Sequence, residues 1–226
     1  MKIAVVVPNS TMPADVLDLR RQFLEANASA GTELAMWRND LGPESIETEA
    51  QRDEAAVEIV RNVRARDLTG IHGIIPWCAA DPALDSLRQE VSVPVVGPLM
   101  ASCGIATNIG RRFTIVIPRG DVPMTRQRVQ GYGYGSALVK VRQVDRPVLE
   151  LRTDMNSTIE LLTREVELAA REDQADCVVL GCMALFGVAS QLKASIPVID
   201  PALAALTTCE SWIRMGISNS VHPRAA

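Results

Sequence analysis

Apolar residues along the chain fall into short unbroken runs, separated by longer stretches where apolar positions recur every three or four residues. Unbroken runs suit strands covered on both faces, and the wider spacing suits helices with one face turned inward. The runs that read as strands are 2–7 (KIAVVV), 33–37 (ELAMW), 71–77 (IHGIIPW), 93–97 (VPVVG), 113–117 (FTIVI), 138–144 (LVKVRQV), 176–181 (DCVVLG) and 196–200 (IPVID). Helical spacing covers 12–27, with Pro13 in the first turn where a missing N–H costs least. It also covers 44–67, charged along one face, and 157–172, where Ser157 and Glu160 stand at capping-box spacing. The alternation predicts an α/β protein with parallel sheets.

The pattern also repeats. Residues 74–98, IIPWCAADPALDSLRQEVSVPVVGP, set beside 178–201, VVLGCMALFGVASQLKASIPVIDP, share an order: an apolar strand, a cysteine, a helix, then a short strand around Val/Ile-Pro that ends before a second proline. Cys182 lies 104 residues after Cys78 and Pro197 lies 103 after Pro94, so one residue of insertion aligns them. The openings of the halves match as well, 3–8 (IAVVVP) with 113–118 (FTIVIP). The repeat predicts two similar α/β lobes. Each is a short, mainly parallel sheet flanked by helices, and ligands of such sheets bind beyond the carboxyl ends of the strands.

Composition narrows the partners. A net charge of −4 and a pI near 5.3 give no basic footprint for nucleic acid, and no run is long enough for a membrane-spanning helix. The opening MKIAVVVPNS reads as a first strand, not a secretory signal. Five cysteines, at 78, 103, 177, 182 and 209, lack metal-site spacing, and His72 and His222 stand far apart without ligand partners. No metal and no cofactor are expected, and free thiols fit a reducing cytoplasmic setting. The GYGYG stretch at 131–135 lacks the strand-to-helix context of a nucleotide loop and reads as a turn. The tail 220–226 is expected to be loosely ordered.

The commonest fate of a free cysteine is to be a small buried hydrophobe, and Cys103, Cys177 and Cys209 read that way. Cys78 and Cys182 differ because they occupy equivalent points of the repeat, each at a strand end before a helix. Asp81 reads as an N-cap and Pro82 as N1, which would place helix N–H groups beside Cys78 and lower its pKa. If the lobes face each other, two thiols meet across one cleft. One could take a proton α to a carbonyl while the other returns a proton to the opposite face. From the residues alone, this reading and the structural one both stand.

The motifs resemble those of the hydantoin racemase branch of the aspartate/glutamate racemase superfamily. The resemblance runs through 8–11 (PNST), 42–47 (GPESIE), 78–85 (CAADPALD, similar to Cys-x-x-Asp-Pro-Gly-Leu-Asp), 110–117 (GRRFTIVI), 140–151 (KVRQVDRPVLEL), 180–185 (LGCMAL) and 197–201 (PVIDP). It implies a cofactor-independent racemase of a 5-substituted hydantoin or related cyclic ureide, built as a homo-oligomer, with its active site in the cleft between the lobes. One lobe would span 1–98 with 202–226, and the other 99–201. Cys78 and Cys182 carry over as the acid/base pair. Asn9, Ser10, Ala79, Ala80, Pro118, Met183 and Ala184 carry over as substrate contacts, those beside the cysteines through backbone N–H groups. The chain departs from the pattern at Trp77, where a small residue is usual, at Ile117-Pro118 in place of two threonines, at Met183-Ala184-Leu185 in place of Ala-Gly-Met, and at 48–50 (TEA) in place of Gly-x-Tyr. A decarboxylase or cis–trans isomerase of the same superfamily, or a two-lobed binding protein without chemistry, are the alternatives.

Overall fold

The computed structural model describes residues 1–219; the expectation for the tail and for His222 lies outside them. Two parallel sheets form the frame. The first contains β1 (Lys2–Val7), β2 (Glu33–Arg38) and β3 (Gly73–Pro76) in the order β2-β1-β3. The second contains β4 (Phe113–Ile117), β5 (Leu138–Gln143), β6 (Cys177–Leu180) and β7 (Val198–Ile199) in the order β5-β4-β6-β7. The repeat is visible in the pairing. Val178 pairs with Val198 in β6 and β7, while the corresponding segment 93–97 makes one isolated bridge, Ile74 to Val95. The strand expected at 93–97 is therefore a single bridge, flanked by bonds from Ile74 N to Pro94 O and from Val96 N to Ile74 O.

Helices cover both sheets: α1 (Ala14–Asn27), α2 (Glu49–Arg64), α3 (Leu84–Glu90), α4 (Pro98–Ile109), α5 (Val122–Gly131), α6 (Met155–Arg171) and α7 (Pro201–Arg214). The period-two alternation of a strand divides the core. Ile3, Val5 and Val7 of β1 join Phe113, Ile115 and Ile117 of β4 in one cluster that spans both sheets and includes α4 and α7. Ala4 and Val6 face α2 and α3, and Val116 faces α6. Helix α4 packs on β6, whereas α7 packs on β3, where Cys209 Sγ would stand 2.5 Å from a Cβ built on Gly73. Glu210 of α7, 2% exposed, accepts hydrogen bonds from Ser29 and Thr32 and pins that helix beside β2.

Caps correct three of the expectations. Helix α2 starts at Glu49, not 44, because Thr48 and Gln51 form a capping box there. Helix α6 starts at Met155 with Asp154 as N-cap, so Ser157 receives the cap and does not provide it. Asp81 caps no helix of its own. It sits at φ 47°, α3 begins at Leu84, and the N-cap Ala83 holds φ 60°. That left-handed conformation suits glycine, which is what the Cys-x-x-Asp-Pro-Gly motif places there.

The Asp81 carboxylate crosses to α4 instead. It accepts from Leu99 N and Met100 N, each at 2.9 Å, and from Tyr132 Oη at 2.8 Å. A Cβ on Gly97 would stand 2.6 Å from it, so the N-cap position of α4 has to be glycine. Removing this carboxylate leaves three donors buried without an acceptor. Asp81→Ala is expected to cost about 2–4 kcal/mol, read as a shift of the urea midpoint at unchanged slope.

Candidate active site

Four strand ends, two from each sheet, open onto a cavity of about 420 Å³. The loop after β1 contributes Asn9 and Thr11, and the loop after β3 contributes Trp77 to Ala80. The second sheet contributes Ile117 to Asp121 after β4 and Gly181 to Ala184 after β6. Cys78 and Cys182 both line this cavity. They are near enough that negative charge on Cys182 disfavours charge on Cys78.

Each thiol is held by its own turn. Ala80 N donates to Cys78 Sγ at 3.4 Å, and Ala184 N donates to Cys182. Each turn is then anchored by a carboxylate to the start of a later helix. Asp81 ties the first to α4, and Asp200, N-cap of α7, accepts from Gly187 N at 2.6 Å as well as from Ala202 N. Gly181 before Cys182 is required by close packing, because a Cβ there would lie 2.5 Å from Ile117 Cγ2.

The thiols are not activated as expected. Neither cysteine leads directly into a helix: α3 starts at Leu84, and the helix expected after Cys182 is two short 3-10 turns, Met183–Leu185 and Ala189–Gln191. Burial dominates. It pushes Cys78 up to about 12 and Cys182 up to about 11, against the smaller pulls of the Ala80 and Ala184 amides. Arg52 draws Cys78 down slightly, and Arg20 does the same for Cys182.

Of the other residues singled out in the sequence, Asn9, Ala79, Ala80, Pro118, Met183 and Ala184 line the cavity. Ser10 does not. Its hydroxyl donates to Gly42 O at 2.8 Å, and Asn9 Nδ2 donates to Glu44 O, so the 8–11 motif holds the 42–47 loop against the site. Trp77, 3% exposed, lies edge-on to Phe186 with ring centres 5.8 Å apart, and its Nε1 has no partner among the described residues. Two arginines on the cavity wall, Arg20 of α1 and Arg152, escaped the sequence reading. The available signal was spacing. Arg20 stands between Val16 and Leu24 on the face of α1 that turns inward.

The family model for Asp/Glu/hydantoin racemases matches residues 3–209. The chain belongs to this family. The racemase is 31% identical over 224 residues to a hydantoin racemase of Rhizobium meliloti, covering 97% of this chain and 92% of that one. Its structure resembles that of an allantoin racemase from Pseudomonas fluorescens with a TM-score of 0.93 at 30% identity, covering 100% and 98% of the two chains. An allantoin racemase from Klebsiella pneumoniae gives a TM-score of 0.90 at 28% identity, with 100% and 95% covered. No helix among the described residues is long and apolar enough to cross a membrane.

Proposed function

We propose that this racemase inverts a carbon α to a carbonyl with Cys78 and Cys182 as a paired acid and base, on a 5-substituted hydantoin or related cyclic ureide. The observation that carries the reading is the placement of both thiols in one cavity, each at the carboxyl end of a strand from a different sheet. One thiolate takes the proton from the ring carbon, and its C–H electron pair moves into the enolate of the adjacent carbonyl. The opposite thiol then protonates that carbon from the other face, so thiol and thiolate exchange roles and the atoms balance. The N–H groups of Ala80 and Ala184 are engaged by the two sulfurs, so those of Ala79 and Met183, the first residue after each cysteine, are assigned as donors to ring oxygens. Donors aimed at developing charge are worth most in a site shielded from water.

The cavity volume suits a small ring with a side chain. Incubating one enantiomer of a 5-substituted hydantoin in D₂O is expected to give loss of rotation together with deuterium at the ring carbon. Absence of exchange across hydantoins of varied side chain and allantoin would overturn the substrate reading.

A further inference from the structure

The cavity wall next to Cys182 carries two guanidinium groups around one ring. Arg152 Cζ stands 4.2 Å from the centre of Phe186, and Arg20 Cζ stands 5.4 Å from the same centre. Arg20 is only 7% exposed, and its Nε has no acceptor among the described residues. Among the described residues its side chain makes one hydrogen bond, to Val16 O, a turn back along its own helix. Arg152 donates to Ala184 O and Phe186 O, carbonyls of the loop after Cys182. Among the described residues neither forms an ion pair.

A buried cation without a counter-ion, as Arg20 is, is costly, and a second cation at the rim beside it adds to the cost. The proximity is felt: burial lowers the pKa of Arg20 to about 10, and the charge of Arg152 adds to the effect. Of the other charges of the cavity, Arg119 pairs with Asp145 and Asp121 caps α5, while Glu44 and Glu47, the latter accepting from Ser45, stand on the 42–47 loop and form no ion pair with either arginine among the described residues. Each guanidinium stands over the Phe186 ring within cation–π range, and each keeps nitrogens beyond the one that donates to a carbonyl, a donor set suited to a planar anion.

We infer that Arg20 and Arg152 form an anion subsite, and that the preferred substrate carries a carboxylate on its side chain. On the reading proposed above, on which this rests, the substrate class is a hydantoin whose 5-substituent ends in a carboxylate. That group would supply the charge the pair lacks and seat the reacting carbon beside Cys182.

The test compares enantiopure hydantoin-5-propionic acid with its neutral primary amide, a substrate of equal size. The wild-type full chain is expected to favour the acid in kcat/KM by about tenfold to a hundredfold, the range for hydrogen bonds to a charged group. Arg20→Gln should erase most of that preference, and Arg20→Lys should restore part of it. Arg152 is exposed at the rim, so Arg152→Gln gives the same test where folding is not at issue. Equal turnover of acid and amide by the wild type would overturn the inference. So would an equal fall for both in Arg20→Gln, which would assign Arg20 to a ring oxygen or to the Cys182 thiolate. If neither hydantoin exchanges, the ring reading has failed and the anion subsite is judged by calorimetry with glutarate. Binding by the wild type that is lost in Arg20→Gln supports the subsite, and no binding by either protein refutes it.

Discussion

Cys78→Ala and Cys182→Ala are each expected to lower racemisation by about a thousandfold or more, the scale of a lost acid or base placed at the reacting carbon. The two variants should not be equivalent. With Cys182 gone, Cys78 can still take and return a proton on its own face, so one enantiomer exchanges its C–H for C–D without inverting. With Cys78 gone, the other enantiomer should do so. Proton NMR in D₂O reads exchange and polarimetry reads inversion, so the two losses can be separated. Each alanine removes one sulfur from a cavity wall, and the turns are held by Asp81 and Asp200, not by the thiols. The melting temperature should therefore move little. Cys103→Ala is the contrasting case. That thiol is fully buried in α4, so its loss should cost stability and leave the exchange pattern intact. Full inversion retained by either Cys78→Ala or Cys182→Ala would end the two-thiol mechanism.

Much of the frame could be read from the chain, because a strand buried on both faces leaves an unmistakable run of apolar residues. Helix α4 could not, since PLMASCGIATNI is apolar nearly all round and is packed between β6 and α7, which erases the helical period. The repeat located both cysteines and both prolines, yet it misjudged the turn after each thiol. Asp81 is in a cap-like motif, but it serves the distant helix that begins at Pro98, and no local pattern encodes that reach. Tyr132, within a stretch that read only as a turn, turns out to be the third donor to that carboxylate. Thiol acidity was misjudged for the same reason. A cap is a local feature, whereas burial depends on how the two sheets and their loops close around the site.

The pH profile should show which influence governs the thiols. The mechanism needs one thiol ionised and the other protonated. Burial raises both above their ordinary value of 9.0, to about 12 for Cys78 and about 11 for Cys182, and the paired form is scarce near neutrality. Raising the pH removes the first proton, so kcat/KM for a non-ionising substrate should climb about tenfold per unit between pH 7 and 9. The two thiols interact, so the limb belongs to the pair and not to one residue. The upper end of the profile should be compressed. Arg20 loses its proton from about 10, and with it the cation that favours the Cys182 thiolate. Stability falls in the same region. The unfolded chain releases its thiol protons near 9.0 while the folded chain holds them, so the unfolded state binds fewer protons and stability declines as pH rises from there toward 12. Rates taken below pH 9 avoid that loss. A plateau reached below pH 8 would overturn the assignment, because it would mean that the guanidinium groups around Phe186 outweigh burial and hold Cys182 ionised at rest.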